Sequence, residues 1–277
     1  MHNNHNQNCG CDYARRRFIT GAVLAATGLA VSPLALPGAA SADLVGKPSV
    51  AKQKQVGDEA ARQVLKQYRE IWDGRAREFK SVGAKLLSAL SNDDQTTWDF
   101  RFHFLDCKDV NAFALPGGNV FLFSGLYDIL ASEDALAAVT GHEMTHVRKQ
   151  HWANAYQKEQ ERALGIAAIL AITRAGQAVQ TLADLGDQAI SLKYSRGEED
   201  QADQGGLEDM VAAGYNPQGM LDLFQALLKK TGNGATAGGD FLSNHPLTTD
   251  RIKKTTQRIS DLHPIAPFPA ERPLQIT

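Results

Sequence analysis

The run His142-Glu143-Met144-Thr145-His146 works as a unit only on a helix. Residues four apart stack on one helical side, so His142 and His146 can aim two imidazole nitrogens at one point. Glu143 can then reach a water at that point. Two neutral nitrogen ligands and a neighbouring carboxylate are what a zinc hydrolase requires. The flanks agree, since Ser132 to Trp152 reads as a single helix. Ser132 suits the N-cap, Glu133 and Asp134 the first turn, and Leu136, Val139 and Val147 a buried face.

A metal site of this kind needs a packed body around it. With 277 residues, 43% of them hydrophobic, the chain can bury one globular core. Residues 1–42 hold three arginines and one aspartate, leaving 26 basic against 30 acidic residues in the rest. That balance predicts no nucleic-acid partner. The first segment itself reads as a leader. Arg15-Arg16-Arg17-Phe18-Ile19 precedes an apolar run from Gly21 to Leu36, and Ala40-Ser41-Ala42 supplies small residues for cleavage. The paired arginines and the Ala/Gly-rich core resemble the twin-arginine type of signal. Residues 1–42 are therefore expected to be a signal peptide, and 43–277 the working domain, exported to the periplasm.

Downstream, Ser49 to Leu90 reads as helical, with Ile71 and Trp72 among its apolar positions and a second stretch from Arg75. Trp98, Phe100, Phe102 and Phe104 then alternate with polar residues as a strand; His103 falls on its polar face. Asn111 to Gly118 forms a turn-rich connection into a second strand, Asn119 to Ser124. Its faces carry Val120 and Leu122 on one side, Phe121 and Phe123 on the other. The expected fold is α+β: mostly helical, with a small antiparallel sheet beside the active-site helix. The free edge of such a sheet can align an extended peptide.

Ala153 to Ser191 reads as a long helical region. Its most apolar part, Ala163 to Ile172, is too short to span a bilayer. A core helix or a hairpin over the cleft is expected there, with peripheral membrane contact as the alternative. A further helix, Gly197 to Ala213, carries Glu199 and Asp203 on one face. One carboxylate at that spacing can complete a two-histidine zinc site while the other fixes a ligand tautomer. Asn216-Pro217 opens the next helix, Gly232 to Gly239 is a glycine-rich loop, and a last helix follows His245-Pro246. His263-Pro264 and the residues beyond read as a tail.

These residues together resemble the zinc metallopeptidase family that includes HtpX, the CAAX prenyl endoprotease and BepA. The blocks carrying the likeness are Asn111 to Tyr127, Ala138 to His151, Tyr194 to Leu207, Gly214 to Phe224 and Asn244 to Ile252. The resemblance implies a zincin-like metallopeptidase domain that holds one zinc ion through His142, His146 and Glu199, preferring Glu199 to Glu198. It implies Glu143 as general base, Asp203 behind a ligand histidine, and Arg196 orienting the acidic residues. It makes Asn111, Pro116, Gly117 and Gly118 part of a substrate edge. His245 becomes either an oxyanion stabiliser or a residue that enters the open zinc position and keeps the enzyme latent. Protein or peptide substrates follow. The lack of membrane-spanning helices around the motif separates this chain from the membrane-embedded members.

Overall fold

The computed structural model describes residues 46–170, 193–231, 240–262 and 268–274, with the side chains of 162–170, 231 and 240 outside that description. The leader, residues 171–191 of the expected long helical region, the glycine-rich loop and His263-Pro264 all lie outside the described residues.

The chain opens with helix α1, Val50–Gln67, and helix α2, Gly74–Ala89. Each starts at a side-chain cap: Ser49 Oγ accepts from Lys52 N and Asp73 Oδ1 from Ala76 N. Such caps contribute about 1 kcal/mol each. Residues 68–73 separate the helices, so Ile71 and Trp72 are not on a continuous helix. Trp72 is 68% exposed, with the Lys80 ammonium 3.2 Å over its ring. A short helix α3, Asn92–Thr97, leads into strand β1, Arg101–Leu105.

Strand β2, Ala112–Ala114, lies inside the segment expected to be only a turn, and β3, Asn119–Phe123, follows it. The sheet order is β1-β3-β2. The β2–β3 pair is antiparallel, but β1 and β3, the two strands expected to pair antiparallel, run parallel, so the sheet is mixed. The cause is topological: the chain leaves β1, passes to the far edge as β2, and turns back into the middle. At that turn Gly117 and Gly118 have φ of +92° and +126°, which side chains resist. The alternation of β3 divides the core. Val120 and Leu122 join a large core with residues of α2 and the motif helix, while Phe121 and Phe123 join a smaller one with Val56, Val64 and Trp152.

After helix α4, Ser124–Tyr127, the motif helix α5 runs over Glu133–Arg148. Ser132 is its cap, accepting from Ala135 N. The helix expected to reach Trp152 stops early. Gln150 has φ of +54°, and a new helix α6, His151–Leu170, begins beyond it. No Gly or Pro marks this break. A left-handed Gln is held there by tertiary contacts, among them Gln53 Nε2 donating to Gln150 Oε1 at 3.0 Å.

Helix α7, Arg196–Ala212, crosses α5 at close range. A Cβ added to Gly206 would lie 2.8 Å from His142 N, so only glycine permits this approach. Helix α8, Gln218–Thr231, packs on the start of α5. A short helix α9, Asp240–Asn244, and the last helix α10, Thr249–Leu262, complete the helical body. The stretch read as a tail is in part ordered against the core. Residues 268–274 return to α5, where Ser132 and Pro273 form a β-bridge, Glu133 N donates to Arg272 O and Arg272 N donates to Asp134 Oδ2. No helix among the described residues is long and apolar enough to cross a membrane.

Candidate metal centre

Four side chains converge between α5, α7 and the α9–α10 connection. His142, His146, Glu199 and His245 each offer one atom, all within 4.8 Å of one another. His142 Nε2 lies 3.1 Å from His146 Nε2 and 3.2 Å from His245 Nδ1. Glu199 Oε1 lies 2.9 Å from His245 Nδ1 and 3.6 Å from His146 Nε2. An ion with bonds of about 2.1 Å in tetrahedral geometry separates its ligand atoms by about 3.4 Å. The cluster therefore fits one small divalent ion, and its donors, three imidazole nitrogens and one carboxylate, suit zinc. Glu143 Oε1 is also buried without a hydrogen-bond partner, which is costly unless a cation offsets it.

The local sequence explains each placement. Glu198 and Glu199 are separated by the capping box of α7. Ser195 N and Oγ both donate to Glu198 Oε2 and Glu198 N donates back to Ser195 Oγ, which ties Glu198 to the helix end. Glu199 is left to turn inward, where it is 1% exposed. Asp203, one turn on, accepts from His142 Nδ1 at 3.1 Å. An ionised carboxylate only accepts, so the His142 proton sits on Nδ1 and Nε2 is free to ligate. Burial opposes the charge on Asp203, but hydrogen bonds from Arg251 and His142 outweigh it and hold the carboxyl below its ordinary range.

Arg196 does not orient the acidic residues. It is exposed at the first position of α7. A cation is disfavoured at a helix N-terminus, and solvent is the cheaper environment. Arg251 of α10 does what was expected of Arg196. Its Nε and Nη2 donate to the two oxygens of Asp203 at 2.7 and 2.6 Å, and Nη1 stands 2.6 Å from Glu199 Oε2. Nη1 also donates to the carbonyl oxygens of His245 and Pro246, at 3.5 and 3.1 Å. One buried guanidinium thus holds two carboxylates and the backbone carrying His245. The signal for it was present, an arginine six residues after the histidine, without a local pattern to give it a role.

His245 itself is the fourth member of the cluster. Its ring stacks on Phe241 at 4.7 Å, and its backbone N–H donates to Phe241 O. Burial disfavours the charged ring, but Glu143 and Glu199 outweigh that and raise its pKa. His146 is different: burial, reinforced by the neighbouring histidines, drives its pKa far down and keeps it neutral. Tyr194 covers the same ring at 3.9 Å. His103, by contrast, stands apart from the cluster, between Asn119 and Glu70.

The substrate-edge residues divide. Among the described residues β2 is an outer strand paired with β3 alone, so its far edge is the one facing away from the sheet. Pro116 and Gly117 are packed under α1: a Cβ on Gly57 would strike Pro116 O, and one on Gly117 would lie 2.5 Å from Lys54 Cα. A Cβ on Gly118 would likewise meet the Asp99 backbone. These three shape the turn and are covered by it. Asn111 is buried beside β2, its Oδ1 without a hydrogen-bond partner. The edge proper consists of Ala112 to Ala114.

A helix bearing H-E-x-x-H, crossed by a second helix that adds a glutamate, defines the zincin-like class of metallopeptidases. The sequence model of Peptidase family M48 matches residues 73–259, and the chain belongs to this family. It is 29% identical over 226 residues to the beta-barrel assembly-enhancing protease of Escherichia coli (strain K12), covering 78% of this chain and 46% of that one. It is 32% identical over 212 residues to the mitochondrial metalloendopeptidase OMA1 of Saccharomyces cerevisiae, covering 69% and 61%. With the metalloprotease YcaL of Escherichia coli (strain K12) it shares 29% identity over 181 residues, covering 64% and 68%. The chain spans about half the length of the beta-barrel assembly-enhancing proteases it matches.

Proposed function

We propose that this chain is a zinc-dependent endopeptidase that hydrolyses exported or misfolded envelope proteins and so serves protein quality control. The convergence of His142, His146 and Glu199 beside Glu143 carries the reading. Zinc, when bound, supplies a positive charge that polarises a peptide carbonyl and acidifies water. Glu143 takes a proton from the attacking water and returns it to the leaving amine. Asp203 keeps His142 in the tautomer that ligates, and Arg251 keeps Asp203 and Glu199 in place. The outer edge of β2 receives the substrate as an added strand, aligned by main-chain hydrogen bonds.

Residues 1–42 act as a cleaved leader of the twin-arginine type, and residues 43–277 work in the periplasm. The Arg-Arg-x-Phe-Ile sequence and the Ala-Ser-Ala segment support this. Peripheral membrane contact through the apolar sequence Ala163 to Ile172 fits the same location.

His245 supports a second reading of the same centre, as a chaperone or assembly factor whose protease site is latent. Each of the five central residues is at most 2% exposed, and the His245 ring stands between Glu143 and the other ligands. Casein cleavage by residues 43–277, measured with zinc content, separates the readings. Zinc with cleavage by wild type and none by Glu143→Gln supports the endopeptidase. Zinc without cleavage, and full complementation by Glu143→Gln in cells, supports the assembly factor.

A further inference from the structure

The two motif histidines are supported in different ways. His142 leans on a carboxylate. His146 Nδ1 instead faces the ring of His151, Nδ1 to Nδ1, at 2.8 Å. The other nitrogen of His151, Nε2, lies 3.1 Å from Gln201 Oε1. His151 is 1% exposed, so both of its ring nitrogens depend on these contacts.

Two nitrogens this close require that one carries a proton and the other a lone pair. Only two arrangements are open to the row of three side chains. If His151 Nδ1 donates, the proton of neutral His146 must sit on Nε2, which then points a hydrogen into the cluster and cannot ligate. If His146 Nδ1 donates, its Nε2 lone pair is free. His151 then carries its proton on Nε2 and donates it to Gln201 Oε1, which is the oxygen the structure places there. We propose that His151 and Gln201 are positioning residues for His146: a row of hydrogen bonds from His146 Nδ1 to His151 and from His151 Nε2 to Gln201 fixes the ligating tautomer. The inference rests on the assignment of His146 as a metal ligand.

The surrounding fold is built to form this row. His151 opens α6 immediately after left-handed Gln150, the break that ends α5 and brings the ring back beside His146. Gln201 lies on α7, two residues after Glu199, so the row ties the helix carrying two ligands to the helix carrying the third. Charge explains why a neutral imidazole stands where a carboxylate stands behind His142. Glu143, Glu199 and Asp203 against Arg251 and a divalent ion already sum to zero. A further buried carboxylate would have no cation. Gln201 is exposed at the mouth of a polar groove lined with His151, Asn154, Lys158 and Glu198, so it can be altered without disturbing the core.

The test is zinc affinity by chelator competition on residues 43–277, together with nitrogen NMR of isotope-labelled histidine in wild type. His151→Phe fills the space but accepts no hydrogen bond, and its zinc Kd rises by about 10- to 100-fold. His151→Asn puts Oδ1 where Nδ1 was, and Gln201→Glu keeps the acceptor; each stays within about tenfold of wild type. The wild-type spectrum shows the His146 proton on Nδ1, a result that needs no variant to fold. Unchanged affinity in His151→Phe, or a His146 proton on Nε2, overturns the row. If His146→Ala binds zinc as wild type does, the ligand assignment itself fails. Loss in His146→Ala with no loss in His151→Phe leaves that assignment standing and removes the row alone.

Discussion

His245 Nε2 lies 3.6 Å from Glu143 Oε1, while the other nitrogen of the same ring points at His142 and Glu199. The imidazole occupies the space between Glu143, the proposed general base, and the other atoms of the cluster, where the proposed mechanism places the attacking water. Removing it should open the centre. A latched enzyme whose competent form is populated at about 1–10% gains about 10- to 100-fold in casein cleavage from His245→Ala. A fall in cleavage, with zinc retained, would assign His245 to the oxyanion instead.

Glu143→Gln keeps the shape and volume of the base but cannot take a proton. Zinc content and thermal unfolding should match wild type, and hydrolysis should fall by about 100-fold or more. An active, zinc-loaded Glu143→Gln protein would remove Glu143 from the mechanism.

Adjacent glutamates on α7 should behave differently. Glu199→Ala removes a ligand and should weaken zinc binding by more than about 100-fold, beyond what a supporting residue contributes. Glu198→Ala breaks the capping box and should cost about 1 kcal/mol of stability with little change in zinc affinity. Equal losses of zinc would mean that the capping box does not distinguish them.

Arg251→Met leaves Asp203 and Glu199 buried without their cation and should destabilise the fold by about 3–5 kcal/mol. Arg196→Met, at an exposed position, should change stability by less than about 0.5 kcal/mol. Urea unfolding of the two variants side by side measures the contrast.

Acid should act through Asp203. Its carboxyl is held below the ordinary range, so the folded state binds the proton less readily than the unfolded chain. The stability it contributes is full above about pH 4, the unfolded range, and is lost as pH falls through the lower folded value. In chelator, Asp203→Asn should therefore cost about 3 kcal/mol at pH 7. That gap should narrow steadily below pH 4. A gap independent of pH would show that Asp203 is already neutral in the folded protein.

Much of this centre was legible because its parts are local. His142, Glu143 and His146 sit within one helical turn, Glu199 and Asp203 within another, and the two faces of β3 follow from simple alternation. What escaped was set at long range. Nothing around Lys149 and Gln150 breaks a helix by propensity; the break accompanies long-range contacts, Gln53 on Gln150 and His151 on His146. The parallel pairing of β1 with β3 depends on where β2 goes. Arg251 and Arg196 are equally plausible partners for an acidic pair until the packing of α10 on α7 selects one.

The bridge between Ser132 and Pro273 also sets an order in time. On a growing chain, both histidines and Glu143 of α5 are made well before Glu199, His245 and the 268–274 segment that seals the start of that helix. At synthesis rates of about 5–20 residues per second, the interval from His146 to Pro273 lasts roughly ten seconds. Throughout it the first turn of α5 lacks the partner for Asp134 that Arg272 provides. A chain that ends between Arg251 and Pro273 carries every residue of the centre but leaves the start of α5 unsealed, so such truncated products should be less stable than the full chain while keeping the cluster's residues.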